Sequence, residues 1–372
     1  MIVNMKKILL VIFTIWQINV FCQIADGQFV YTDTIQSVFL EEGKPIYIYL
    51  PPDFYHSNDH YPLQIVLGSH SRTQMYYSIS NYLSSPYHMI ALNQLHSIPE
   101  SIIIGVGNPN ADNLIEYEQF ITEEVIPFIE QKIRNCHYKV IIGHSRGGEL
   151  VLRSLFNEKS PFHAFYCSAP VNSAYFMEEL SNKRKSTFLK GSKKRLFIAA
   201  SEQDYFYKGN RKLIEAFNEI KSPSFLFESI IKANDNHHTI FPVTQTDALF
   251  FCFKDWKFVI PANDSTSMTE AFQKHYIDLS EKTGIELYPP EFDFYVLAYV
   301  LNERNQIDEK IKLLETCKRI YPKAINADAY LARTFYSIGN LKKARLHNEF
   351  SLSINPDNDF ALKTKELIEK AD

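Results

Sequence analysis

Gly143-His144-Ser145-Arg146-Gly147 follows the β-branched run Tyr138-Lys139-Val140-Ile141-Ile142 and precedes Glu149-Leu150-Val151-Leu152-Arg153-Ser154-Leu155, a helix-like stretch. A G-x-S-x-G pattern between a strand and a helix predicts a nucleophile elbow, a turn so sharp that its serine needs unusual backbone geometry. Small flanking residues let strand and helix pack closely and push the hydroxyl out toward substrate. Glycine is scarce here, 12 of 372 residues, so two of them framing one serine at such a junction carry information.

A serine hydroxyl is a weak nucleophile at neutral pH, so the motif implies a base and an orienting acid elsewhere in the chain. In an α/β-hydrolase they follow the serine in the order acid, then histidine, on loops after later strands. Arg195-Leu196-Phe197-Ile198-Ala199-Ala200 reads as a short buried strand, and Ser201-Glu202-Gln203-Asp204 leaves its end. Phe225 to Ile231 reads as another, followed by Ala233-Asn234-Asp235-Asn236-His237-His238-Thr239. The order Ser145, Asp204, His237 is the one this fold requires.

With these residues in place the chain resembles the putative-esterase family of α/β-hydrolases, which includes enterobactin-type siderophore esterases, feruloyl esterases and S-formylglutathione hydrolases. The segments that carry the resemblance are Lys44 to Pro52 with Tyr61-Pro62-Leu63, the Gly143-to-Gly148 elbow, Ala200 to Asp204, and His237 through Asp247-Ala248-Leu249-Phe250-Phe251 to Trp256. Together they span roughly residues 40 to 260. In that family the acid lies three residues past a Gly-like position ending its strand. Ser201 holds that position and points to Asp204, with Glu202 as competitor. The family's histidine is followed two positions on by a small or hydroxyl residue and then by a helix. Thr239 and the stretch Thr244 to Phe251 therefore favour His237 over His238. The resemblance also implies an oxyanion hole from the backbone N–H groups of Arg146 and Ser69. Two departures stand out: Val66-Leu67-Gly68-Ser69-His70 replaces the family's Leu-Asp-Gly, and Asn108-Pro109-Asn110-Ala111 replaces Asn-x-Asp-Arg. The first alters the oxyanion loop, the second the substrate cleft.

Neighbouring side chains have plainer readings beside functional ones. His144 reads as packing support, Arg146 equally as an anion contact or a solvated helix-start residue, and His70 as a lining of the oxyanion loop or a surface histidine. No His/Cys/Asp/Glu set has metal-ligand spacing, and no metal or other cofactor is expected. The formal net charge of −4 argues against nucleic acid or an anionic membrane as the main partner. Lys6 and Lys7 before the apolar run Ile8 to Phe21 form a signal-peptide layout, with Val20 and Cys22 permitting cleavage before Gln23. A periplasmic or secreted protein is expected; lipidation at Cys22 is disfavoured by the bulk of Phe21. Cys136, Cys167, Cys252 and Cys317 form no disulfide or zinc signature, and Cys167 and Cys252 read as buried packing residues.

Short apolar runs alternate with amphipathic stretches from Tyr47 onward, the pattern of βαβ units on a mostly parallel sheet. Leu63–Leu67, Ile102–Val106, Val140–Ile142, Phe162–Cys167, Leu196–Ala199 and Phe225–Ile230 are its strands. Glu116–Lys132 is a helix, and Val171–Lys190 a lid region for which open and closing forms both stand. The expected architecture is a doubly wound α/β-hydrolase domain over residues 23–260, a linker over 261–267, and a small all-α domain over 268–372. In the last, Pro322 and Pro356, Ala298 and Ala332, and Asn305 and Gly339 are each 34 residues apart, a period resembling tetratricopeptide helix pairs. These helices offer either a groove for a protein partner or a pack that docks on the hydrolase. The function expected is an exported serine carboxylester hydrolase acting on a small-molecule ester, with siderophore- and feruloyl-type esters as family-level candidates. Its rivals are a degenerate hydrolase-fold binding protein that recruits a partner through the repeats, and a peptidase or acyltransferase on the same fold.

Overall fold

The computed structural model describes residues 22–24, 28–52, 54–55, 57–85, 95, 97–262, 266–324 and 326–371. The expected leader, apart from the backbone of Cys22, lies outside them, as do residues 263–265 of the linker and the side chain of Cys136.

Among the described residues nine strands form one sheet: β1 (Cys22–Ile24), β2 (Gln28–Ser37), β3 (Glu42–Leu50), β4 (Tyr61–Leu67), β5 (Ile102–Val106), β6 (Asn135–His144), β7 (Ala164–Ser168), β8 (Arg195–Ser201) and β9 (Leu226–Lys232). Their spatial order is β1-β2-β3-β5-β4-β6-β7-β8-β9. The first three pair antiparallel, and β3 meets β5 antiparallel. From β5 to β9 the pairings are parallel. The apolar runs that read as strands are the parallel ones. A parallel strand covered by helices on both faces needs no polar alternation, and β4, β5, β7 and β8 are buried along their whole length.

The helices of the hydrolase part are α1 (His70–Ser84), α2 (Leu114–Gln119, continued by a π-turn at Phe120–Val125 and by Ile126–Lys132), α3 (Arg146–Phe156), α4 (Ser173–Ser181), α5 (Lys183–Gly191), α6 (Tyr207–Asn218) and α7 (Ile240–Cys252). One core holds Ile65, Ile141, Phe165 and Ile198 from the sheet against Phe120, Leu150, Phe176 and Phe217. The opposite core takes the alternate residues Val66, Val140, Ile142, Tyr166 and Phe197 and covers them with Tyr76, Phe241 and Leu249. That is the doubly wound α/β-hydrolase layout. The region from Val171 to Lys190 folds as α4 and α5 against the first core.

Among the described residues six helices follow: α8 (Met268–Thr283), α9 (Glu291–Glu303), α10 (Ile307–Ile320), α11 (Ala327–Ser337), α12 (Leu341–Ile354) and α13 (Asp359–Lys370). Their buried Phe272, Phe294, Leu313, Leu331 and Ile368 are continuous with the second core of the sheet. Among the described residues no helix is long and apolar enough to cross a membrane.

Candidate active site

The elbow forms at the C-terminal end of the central strand β6. Ser145 has φ 57° and ψ −114°, a conformation that costs an L-residue energy and persists only where its surroundings hold it. Two restraints do so. Ser145 N–H donates to Ser168 O of β7 at 2.9 Å, and Glu149 N–H closes the first turn of α3 on Ser145 O at 3.0 Å. Gly143 is required by proximity: a Cβ there would stand 2.3 Å from Gly147 O. No side chain fits between this strand and this helix.

Asp204 leaves the end of β8 in a tight turn and its carboxylate is fully buried. One oxygen accepts from Phe206 N–H at 3.0 Å; the other faces His237 Nδ1 at 2.8 Å. The His237 loop is held by its own polar residues. Asn236 Oδ1 accepts from the N–H groups of His238 and Thr239 at 2.8 and 3.2 Å, and Thr239 Oγ1 donates to Asp235 Oδ1 at 2.9 Å. Ser201 Oγ donates to Asp235 O, stitching the acid strand to the histidine loop. The competitors lie elsewhere: Glu202 is exposed and meets Tyr207 OH at 3.4 Å, and the His238 ring is exposed.

His237 is set beside the elbow by ring packing. Its centroid lies 4.6 Å from that of His144, the residue preceding Ser145, and 5.7 Å from Phe206. His144 is itself buried against Phe241 and Ser168 Oγ. Burial, followed by the Arg72 charge and the neighbouring histidines, pushes its imidazole down to about 3. It is a neutral packing ring, and the imidazole beside it that has a carboxylate partner is His237.

Arg146 caps the other side. Its guanidinium pairs with Glu149, whose buried carboxylate also accepts from Asn172 Nδ2 at 3.0 Å. The Arg146 side chain remains 38% exposed, so the anion-contact and solvated readings both stand beside this ion pair. The Arg146 N–H opens α3, where the first amides of a helix lack intrahelical acceptors. Ser69 is the N-cap of α1; its Oγ accepts from Arg72 N–H at 3.4 Å. His70 is the exposed first residue of α1, its ring 4.3 Å from that of Tyr47.

Arg72 escaped the sequence reading. Its guanidinium carbon sits 5.4 Å from the Phe241 ring centroid, and among the described residues no acceptor reaches Nη1. The available signal was its position: a cation in the first turn of a helix opposes the helix dipole and needs a tertiary reason to be there.

Comparison with known proteins agrees with this architecture. The sequence profile of the putative esterase family matches residues 37–223, half of the chain. No curated protein matches the sequence. Among solved structures, an IroE-like serine hydrolase from Shewanella oneidensis superposes with TM-score 0.65 at 18% identity, over 78% of this chain and 99% of that one. An uncharacterised protein from Capnocytophaga ochracea gives 0.58 at 18% identity over 92% of this chain and all of its own. A ferulic acid esterase gives 0.50 at 18% identity over 61% of this chain and 98% of that one. At such identities the structures speak to the fold, and the profile match speaks to the family. The chain belongs to the putative esterase family and is a serine esterase built on the α/β-hydrolase fold.

Proposed function

We propose that the chain hydrolyses carboxylic esters through Ser145, His237 and Asp204 and is exported from the cytoplasm. Ser145 Oγ attacks the ester carbonyl carbon while His237 Nε2 takes the hydroxyl proton. Asp204 holds Nδ1–H, fixing the tautomer that leaves Nε2 basic and steadying the imidazolium. The N–H groups of Arg146 and Ser69 receive the oxyanion; one such donor is worth about 3 kcal/mol of barrier. His237 returns the proton to the leaving alcohol as the C–O bond breaks, and the acyl-enzyme remains. Water, deprotonated by His237, attacks it and releases the acid and free Ser145. Every proton taken is given back within one cycle.

The observation that carries this reading is the pairing of two rare features: a serine at φ 57° and, against its neighbouring residue, a histidine 2.8 Å from a buried carboxylate. Siderophore- and feruloyl-type esters are the substrate classes we favour, supported by the family and, for the feruloyl class, by the ferulic acid esterase among the fold neighbours. Export rests on Lys6, Lys7 and the apolar run that follows. The test is p-nitrophenyl acetate hydrolysis and fluorophosphonate labelling. Ser145→Ala is expected to abolish both. Asp204→Asn is expected to lower kcat by about 10⁴-fold through the wrong tautomer. Full labelling of Ser145→Ala, or an unchanged rate in Asp204→Asn, overturns the assignment.

A further inference from the structure

A cavity lies at the opposite end of the parallel strands from Ser145. It opens where β4 and β6 begin, at Tyr61 and Asn135, and is closed by the loop between α8 and α9. β6 runs ten residues from Asn135 to His144, so about 30 Å separates this cavity from the elbow. Its volume is about 220 Å³. A cavity of roughly 150 Å³ already holds benzene, so one ring with a short polar arm fits.

The lining has a distinct chemistry. Trp256, Tyr276, Phe292 and Tyr321 supply aromatic walls, while Asp59, Glu100 and Glu286 supply carboxyl groups. Among the described residues that line it there is neither lysine nor arginine. Asp59 is 6% exposed and accepts from Glu291 N–H at 2.6 Å. Two more buried carboxyl groups, Glu291 and Asp293, stand behind it. Burial first, then those two charges, pushes the Asp59 carboxyl up to about 7. Two histidines, His60 and His137, also line it, and burial first, with Arg134 and His137, holds the His60 imidazole below its ordinary range. Crowded carboxyl groups beside aromatic faces are a setting that favours a bound cation twice, by letting it draw the Asp59 carboxyl to its charged form and by cation–π attraction.

We propose that this cavity binds a small organic ammonium ion, an arylalkyl- or alkylammonium whose apolar body lies on Trp256 and Phe292 and whose charged end faces Asp59. The site draws its walls from the sheet and from the helical segment alike, and it is independent of the ester chemistry. The chain's two tryptophans are Trp16 and Trp256, so fluorescence reports on the cavity wall once the leader is removed. The experiment titrates the full mature chain with benzylammonium, benzyl alcohol and benzoate, by Trp256 emission and by calorimetry. Benzylammonium is expected to bind saturably, at least tenfold more tightly than the isosteric alcohol, with benzoate not binding. Asp59→Asn is expected to weaken benzylammonium at least tenfold, while Ser145→Ala leaves it unchanged. Should Asp59→Asn lower the yield of folded protein, Glu286→Gln and the rim variant Tyr288→Ala carry the same test. Equal affinity for alcohol and ammonium, no binding at all, loss of binding in Ser145→Ala, or undiminished binding in every cavity variant overturns the proposal.

Discussion

His144 ties the site to the pH dependence of folding. Its imidazole falls to about 3 in the folded chain, against an ordinary 6.5 when exposed. Below 6.5 the unfolded chain takes up a proton that the folded one refuses, so stability present at pH 7 is lost as the pH falls toward 3. By pH 5 this one residue costs about 2 kcal/mol, from 1.36 kcal/mol per unit. His144→Gln removes that proton uptake. Its urea midpoint is expected to sit below wild type at pH 7 but to change less between pH 7 and pH 5, by about 2 kcal/mol in ΔG. Parallel curves for the two proteins sink this assignment. The residues at this scale divide sharply in what a linear reading reveals. Ser145 announced itself because its backbone strain demands glycines in fixed places, which leave a mark in sequence. Arg72 did not, because its neighbours Phe241 and His144 are distant along the chain and are brought to it only by folding.

Elements were legible where one local rule dominated. The parallel strands β4 and β5 read as unbroken apolar runs because both faces are covered. The long strand β2 did not, since Thr32, Asp33 and Thr34 interrupt its pattern on an antiparallel edge that needs burial on one side only. The predicted helix Glu116–Lys132 is present but starts at Leu114 and widens to a π-turn at Phe120–Val125. Pro127 is the reason: it has no N–H to give the carbonyl four residues back, and the Ile126 N–H reaches Ile121 O instead. The helical segment carries a similar lesson. Gly339 turns between α11 and α12 at φ 74°, and the preceding unit has no glycine at the matching place. Asn305 takes its part there at φ 56°, because asparagine tolerates the left-handed region better than other side chains. Asn305→Gly is therefore expected to raise stability by roughly 0.5 kcal/mol, and Gly339→Ala to lower it by roughly 1–2 kcal/mol, in chemical denaturation. Opposite signs at the two positions test the equivalence of the turns; the same sign at both refutes it.

At the scale of the whole molecule the question is whether the helices after Pro261 are an appendage or part of the fold. Phe258 meets the edge of Phe272 at 5.1 Å and of His275 at 5.4 Å, and Trp256 packs edge-on to Tyr138 of β6 at 4.6 Å. His275 and the Trp256 carbonyl lie in hydrogen-bond contact at 3.0 Å, and Asn58 Nδ2 reaches Glu291 Oε2 at 3.0 Å. Removing the helices would uncover Trp256, Phe258 and Ile260 together, and each large apolar side chain returned to water costs about 1.5–3 kcal/mol. Three of them cost about 5 kcal/mol or more, comparable with the whole stability of many domains, about 5–15 kcal/mol. The buried residues of the helices share one core with the sheet, so neither half is expected to be stable alone. A chain ending at Ala262 is expected to aggregate, or to melt more than 10 °C below the full protein while binding a dye for exposed apolar surface. Its hydrolysis of p-nitrophenyl acetate is expected to fall with the folded fraction, with KM unchanged for the molecules that remain folded, because Ser145, Asp204 and His237 all belong to the sheet side. A soluble truncated chain with an unaltered melting point would make the helices an independent module and reopen their groove as a docking surface.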